Sequence, residues 1–211
     1  GALENNSILN IDELMLPLRV PYIHYRKMIQ EYVDESTNVL EIGAGMGENT
    51  KFLLATEAKV CATDISEHSL SVIEKRFNND KLTTKVADME KLPFADQSFD
   101  IIVSAGSLSY GDNDIVMNNN PIYRLNRYLH YLKGERSLST IARMPDLKLL
   151  RKYEQKFGKI KTKFFGSISF LTPLMIKVFG EKMSTKISDT IDRIFAIKKS
   201  AFKFVLIVEK Q

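Results

Sequence analysis

Short apolar runs alternate with amphipathic stretches through the first half of the chain. "NVLEIG" (38–43), "KVCATDI" (59–65) and "LTTKVADM" (82–89) are brief and bounded by polar turns. "SFDIIVSAGSLSY" (98–110) contains a fourth run. Runs of this length predict strands. The fourth is almost wholly apolar, which predicts a strand covered on both faces. Between them "ENTKFLLATE" (48–57) predicts a helix. "SEHSLSVIEKRFNN" (66–79) predicts another, with Ser66 as its cap and Leu70, Ile73 and Phe77 along one face. Ahead of the first strand, residues 8–35 have helix-like apolar spacing after Pro21, with breaks expected at Pro17 and Pro21.

The second half is less regular. Residues 120–137 and 144–158 predict helices, the latter stopped by Gly158. "KIKTKFFG" (159–166) predicts a strand. Residues 172–199 predict one or two amphipathic helices, with Pro173 in a first turn. "AFKFVLIVEK" (201–210) predicts a final strand. Strands alternating with helices predict a doubly wound, Rossmann-like α/β fold with a mostly parallel sheet. Such sheets bind ligands beyond the carboxyl ends of their strands, where Gly43, Asp64, Asp88 and Ser104 all fall.

Composition narrows the class. With 211 residues, 44% hydrophobic and 27% charged, the chain reads as one globular domain over 1–211. No apolar run approaches the roughly 18 residues of a membrane span. Gly1 reads as a cloning scar, and no basic-then-apolar leader follows it. The single cysteine, Cys61, lies in an apolar strand and reads as a buried residue in a reducing compartment, so a cytoplasmic location is expected. One cysteine and three histidines argue against a structural metal site. The charge is divided unevenly. Residues 1–117 hold 10 Lys/Arg against 19 Asp/Glu, and residues 118–211 hold 20 against 7. A basic second half suits either an anionic partner or a set of solvated helices.

The chemistry centres on "VLEIGAGMGENT" (39–50). Glycines between a strand and a helix let backbone approach a ligand closely. The dinucleotide fingerprint requires a glycine where Glu48 stands, and the third glycine here is Gly47. A P-loop lysine is also missing. Asp64 follows Gly43 by 21 residues, at the end of the second strand, where a carboxylate can accept from both hydroxyls of a ribose. Asp88, after the third strand, can meet an adenine amino group.

Taken together, "VLEIGAGMGENT", "ATDIS" and "ADMEKLPFADQSFDIIVSAGSL" resemble the successive motifs of class I S-adenosylmethionine-dependent methyltransferases. More narrowly they resemble the small-molecule group that includes the ubiquinone-pathway enzymes. The resemblance spans about residues 38–110, the expected cofactor-binding core. It implies S-adenosyl-L-methionine as cofactor and S-adenosyl-L-homocysteine as product. Glu41, Gly43, Ala44, Gly45 and Gly47 would line the methionine and ribose side. Asp64 would hold the ribose hydroxyls with Ile65 beside the adenine. Asp88 and Met89 would address the adenine, and Ser104, Ala105 and Gly106 the methionine part.

The resemblance also implies a strand order 3-2-1-4-5-7-6, yet no fifth strand follows "GDNDIVM". Three readings stay open. A segment of roughly 25 residues is absent near 117–120; or the final strand pairs directly with the fourth; or "SLSTIA" (137–142) takes the place.

Methyl transfer asks the protein to position an acceptor, exclude water and, for some acceptors, remove a proton. Candidate bases are His24 and His130; His68 reads as surface. Tyr22, Tyr25 and Tyr110 are candidates for orienting an acceptor, together with Arg124, Arg127 and Tyr128 of "YRLNRYLHY". Residues 120–199 lie where the family inserts its substrate cap. The arginines suit a phosphate and the apolar "FLTPLMIKVFG" (170–180) suits a lipid tail, so a small anionic acceptor of sugar- or lipid-phosphate type is expected. An RNA substrate, or cofactor binding without turnover, are the alternatives. The state of assembly, monomer or dimer, is left open.

Overall fold

The computed structural model describes residues 16–105, 128–129, 132–133, 147–158, 160–195, 197–198, 201 and 203–208. The chain forms two compact units: one from 25–111 with residues 1–13, the other from 14–24 with 112–211.

The first unit holds strands β1 (Asn38–Ile42), β2 (Lys59–Asp64), β3 (Leu82–Val86) and β4 (Ile101–Ser104). They pair in the order β3-β2-β1-β4, and every pairing is parallel. All four carboxyl ends therefore lie on one edge. This is the first part of the expected order. The helices of this unit are the later turns of α1 (Leu16–Tyr32), α2 (Thr50–Leu54) and α3 (Glu67–Phe77). α1 runs on through Pro21 without the expected break. Helices are shorter than predicted where the flanking residues form turns, as with α2, confined to five residues by the glycine loop before it.

Registry explains the core. Val39 stands beside Val60 on one side and Ile101 on the other. With Val103, these side chains meet Ile29 of α1, Val33 just past its end, and Leu53 and Leu54 of α2. Ala62 meets Leu70 and Ile73 of α3. The opposite row runs Cys61, Leu40, Ile102. Leu40 is buried, whereas Ile102 is 60% exposed. The expectation that the fourth strand is covered on both faces is thus corrected. Among the described residues β4 pairs only with β1, so it is an edge of this sheet, as β3 is on the other side. Cys61 is half-buried, less enclosed than its apolar neighbours suggest. At its amino end β4 is latched to β1. The Asp100 carboxylate accepts from the Asn38 backbone N–H at 2.8 Å and from its side-chain amide at 3.0 Å.

The second unit holds α4 (Leu147–Phe157), β5 (Ile160–Phe165), α5 (Thr172–Ile194) and β6 (Lys203–Val208). Gly158 ends α4 as predicted, with φ 81° and its N–H donating to Glu154 at 2.9 Å. β5 and β6 are antiparallel neighbours in a sheet of their own. The final strand therefore does not pair with the fourth, which removes one of the three readings of the missing strand. "SLSTIA" lies outside the described residues. Leu150, Phe164 and Ala201 form the core between α4 and this pair of strands. α5 is a single element bent at Gly180, whose φ of 75° breaks the helical run. Of the helix predicted over 120–137, residues 128, 129 and 132 are described and are helical.

Candidate functional site

The site begins where β1 meets its glycines. Gly43, Gly45 and Gly47 all have positive φ, at 68°, 55° and 87°. A Cβ at Gly47 would lie 2.6 Å from the Phe77 ring and 3.2 Å from Ile73, so the loop sits directly on α3 and only glycine fits there. Three further bonds shape it. The Ala44 N–H donates to the Thr63 carbonyl at 2.9 Å, the Gly47 N–H to the Ala44 carbonyl at 3.0 Å, and the Gly45 N–H to Asp64 Oδ2 at 2.9 Å.

Asp64 is the hinge of the arrangement. Its Oδ1 accepts from the Ser66 N–H at 2.9 Å, while Ser66 Oγ caps α3 by accepting from the Ser69 N–H at 3.2 Å. One carboxylate thus ties the glycine loop to the start of the next helix. Each of its oxygens still has acceptor capacity, as a carboxylate offers about four lone-pair sites.

Glu41 lies beneath the loop, with 3% of its surface exposed. Its Oε2 accepts from Thr50 Oγ1 of α2 at 2.6 Å. Burial pushes its carboxyl up to about 7, and the Asp64 charge adds to that, against the pull of the Thr50 hydrogen bond. The Tyr25 hydroxyl is buried in the same unit, without a hydrogen-bond partner among the described residues. Burial raises its ionisation well above the usual tyrosine range, and the Glu41 charge raises it further.

Two bracing residues carry no signature in the sequence. Arg76 of α3 reaches the loop from 28 residues away, donating to Glu48 Oε1 at 2.8 Å and to the Met46 carbonyl at 3.0 Å. Lys51 adds a looser ion pair to Glu48 at 3.8 Å. Glu48, the residue that broke the dinucleotide pattern, is therefore engaged in holding the loop. Thr50 is the second such residue, since nothing in its spacing marked it as the partner of Glu41.

The remaining expected cofactor residues ring the same edge. Ile65 is 75% exposed beside Asp64. Asp88 is exposed just past β3, where Oδ1 accepts from the Glu90 N–H at 2.9 Å; Met89 is half-buried next to it. Ser104 closes β4 and Ala105 follows it, both half-buried. Gly106 lies outside the described residues. The strand ends thus bring Glu41, the glycine loop, Asp64, Asp88 and Ser104 to one edge of a parallel sheet.

The acceptor candidates are not gathered in this way. His24 belongs to the second unit, its ring centroid 4.9 Å from that of Phe165 and its nitrogens 3.2 and 3.3 Å from Lys163 Nζ. Tyr22 is in the same unit, half-buried. Tyr25 is in the first unit, its hydroxyl enclosed as described. Tyr128 is exposed. Tyr110, Arg124, Arg127 and His130 lie outside the described residues.

Comparison with known proteins agrees with the geometry. Residues 39–126 match a family model described as a methyltransferase domain. A demethylmenaquinone methyltransferase of Clavibacter sepedonicus is 33% identical over 116 residues, which is 54% of this chain and 44% of that protein. An uncharacterized methyltransferase-like protein of Schizosaccharomyces pombe is 30% identical over 94 residues, 44% of this chain and 35% of that protein. The chain thus spans less than half the length of these relatives. A solved structure from Galdieria sulphuraria, assigned as a sarcosine dimethylglycine methyltransferase, covers 96% of this chain and 91% of its own, with a TM-score of 0.57 and 14% identity. That likeness is one of fold. The parallel strand order and the glycine loop fall on the residues that match the family model, so residues 39–126 are similar to a methyltransferase domain.

Proposed function

We propose that this chain binds S-adenosyl-L-methionine at the β1–β4 edge and transfers its methyl group to a small anionic acceptor. The observation that carries the reading is Asp64: its carboxylate is fixed against Gly45 N–H, so a diol acceptor site and a Cβ-free loop are built as one piece. Asp64 would hold the ribose, with Ile65, Asp88 and Met89 toward the adenine. Gly43, Ala44, Gly45 and Gly47, above Glu41, would admit the ribose and methionine parts, with Ser104, Ala105 and Gly106 beyond. The donor chemistry fits, because backbone N–H groups and carboxylates suit hydroxyl, amino and carboxylate groups in turn. When bound, the cofactor supplies a methyl on a good leaving group. The protein then has to align the acceptor and keep water out.

Support for an anionic acceptor is the 20-to-7 excess of Lys/Arg over Asp/Glu in residues 118–211. Arg124, Arg127 and Tyr128 are the proposed acceptor contacts, with Tyr22 and Tyr110 to orient it; the enclosed hydroxyl of Tyr25 takes that residue out of the set. His24 and His130 are the proposed bases where a proton must leave. A second reading, cofactor binding without turnover, is favoured by β4, whose outer edge pairs with no strand among the described residues.

Calorimetric titration with S-adenosylhomocysteine, beside Asp64→Ala, tests the cofactor assignment. Micromolar binding by the parent, at least about tenfold weaker in the variant, is expected from loss of a charged acceptor. Equal binding by both proteins would overturn the assignment of Asp64.

A further inference from the structure

α5 exposes a stripe of large apolar side chains. Its buried positions are Thr172, Ser184, Thr185 and Ser188. Several of its large apolar side chains face outward: Leu174 and Val178 are each 63% exposed, Phe179 56% and Met183 52%. Leu171, Leu174 and Val178 follow helical spacing and form one stripe with Phe179 at its border. The buried hydroxyls are satisfied within the helix, Ser184 Oγ donating to the Gly180 carbonyl and Thr185 Oγ1 to the Glu181 carbonyl. An amphipathic helix normally turns its apolar side to the core. Here four small hydroxyl residues are buried beside the half-buried Met175, Ile176, Ile187 and Ile191, and a second apolar stripe is left outward.

Charge selects the occupant. Lys177, Lys182 and Lys186 are exposed along the same element, and Lys198 follows it. Of its three acids, Asp189 is paired with Arg193 at 2.7 Å, and Asp192 accepts from the Gly166 and Ser167 N–H groups at 2.6 and 2.9 Å. The third acid is Glu181. The surrounding half of the chain is strongly basic. Protein interfaces are depleted in lysine and enriched in tyrosine, tryptophan and arginine. In its lysines this face departs from that make-up: aliphatic residues and phenylalanine are flanked by Lys177 and Lys182, as in helices that lie in a lipid headgroup layer. No helix among the described residues is long and apolar enough to cross a membrane.

We propose that the outward face of α5 docks the protein on an anionic lipid bilayer, with Leu171, Leu174, Val178 and Phe179 entering the headgroup boundary and Lys177 and Lys182 meeting lipid phosphates. The docked helix lies along the surface and does not span it.

The experiment is co-sedimentation with vesicles of phosphatidylcholine alone and of phosphatidylcholine mixed with phosphatidylglycerol. The parent is expected to partition onto the anionic vesicles and to be released by salt. Each of Lys177→Gln and Lys182→Gln should weaken partition by about fivefold, the equivalent of roughly 1 kcal/mol per lysine. Leu174→Asp and Phe179→Asp should each weaken it at least about tenfold. Both lie on the outside, so circular dichroism should be unchanged. Failure of the parent to sediment with anionic vesicles would overturn the proposal, as would unaltered partition of the variants. Self-association abolished by Leu174→Asp would assign the face to a second copy instead. RNA retention lost with the lysines, without vesicle binding, would assign the basic side to nucleic acid.

Discussion

Glu41 offers the sharpest quantitative test. It is an acid almost sealed beneath the glycine loop, and its carboxyl is pushed from an ordinary 4.5 up to about 7. Below pH 4.5 it is protonated whether the chain is folded or not. Between there and about 7 the folded protein keeps a proton that the unfolded chain has released, so stability falls as pH rises. Above that window the carboxylate is charged in both states, and the penalty is complete. Each pKa unit is about 1.4 kcal/mol, so ionising Glu41 in place costs the fold about 3 kcal/mol. Glu41→Gln retains a carbonyl to accept from Thr50 Oγ1 and cannot ionise. The variant should lose this slope and gain up to about 3 kcal/mol over the parent near pH 8, with little difference well below pH 4.5. Urea unfolding followed by circular dichroism across that range measures both. A variant that differs from the parent by the same amount at every pH would refute the reasoning, since the proton would then reside elsewhere.

Gly47→Ala should destabilise by about 2–3 kcal/mol, through strain at positive φ and overlap with Phe77 and Ile73. Gly45→Ala meets nothing within 4 Å and should cost only the backbone term, about 1 kcal/mol, so the ratio of the two in thermal unfolding isolates the packing of the loop on α3. Asp192→Ala removes the acceptor of two N–H groups, one on the fully buried Ser167, and should cost about 2–4 kcal/mol. Hydrogen exchange at the Gly166 and Ser167 amides should accelerate, and unchanged exchange would show that other acceptors suffice.

Local pattern made much of the first unit legible. Period and turn residues located β1 to β4, and Ser66 was recognisable as a cap because hydroxyl, helix start and first-turn glutamate sit together. Asp64 could be read because strand end and glycine loop fix its place in a parallel sheet. What could not be read is what depends on neighbours distant in sequence. β4 is apolar enough to be central, yet its exposure is decided by which strand stands next to it. Pro21 has the residue type of a helix breaker, but its position near the start of α1 leaves the remaining turns intact. Arg76 is one basic residue among many until folding sets it over Glu48. The stripe on α5 shows equal periodicity whether it points in or out, so the sequence alone could not say that the hydroxyls would be buried.

The latch between Asn38 and Asp100 also has a kinetic meaning. Leu40 finds Cys61 across a stretch of 21 residues, whereas the latch joins positions 62 apart. Closing the longer loop costs about 1 kcal/mol more chain entropy. β1 and β2 can therefore zip first, and β4 arrives as a late addition held at its entry by one carboxylate. β4 is thus an edge that joins late and loosens early, and Ser104 lies at its carboxyl end. Loosening of the strand that closes the proposed site would then precede global unfolding, and weakening the Asn38–Asp100 latch at its other end should hasten it.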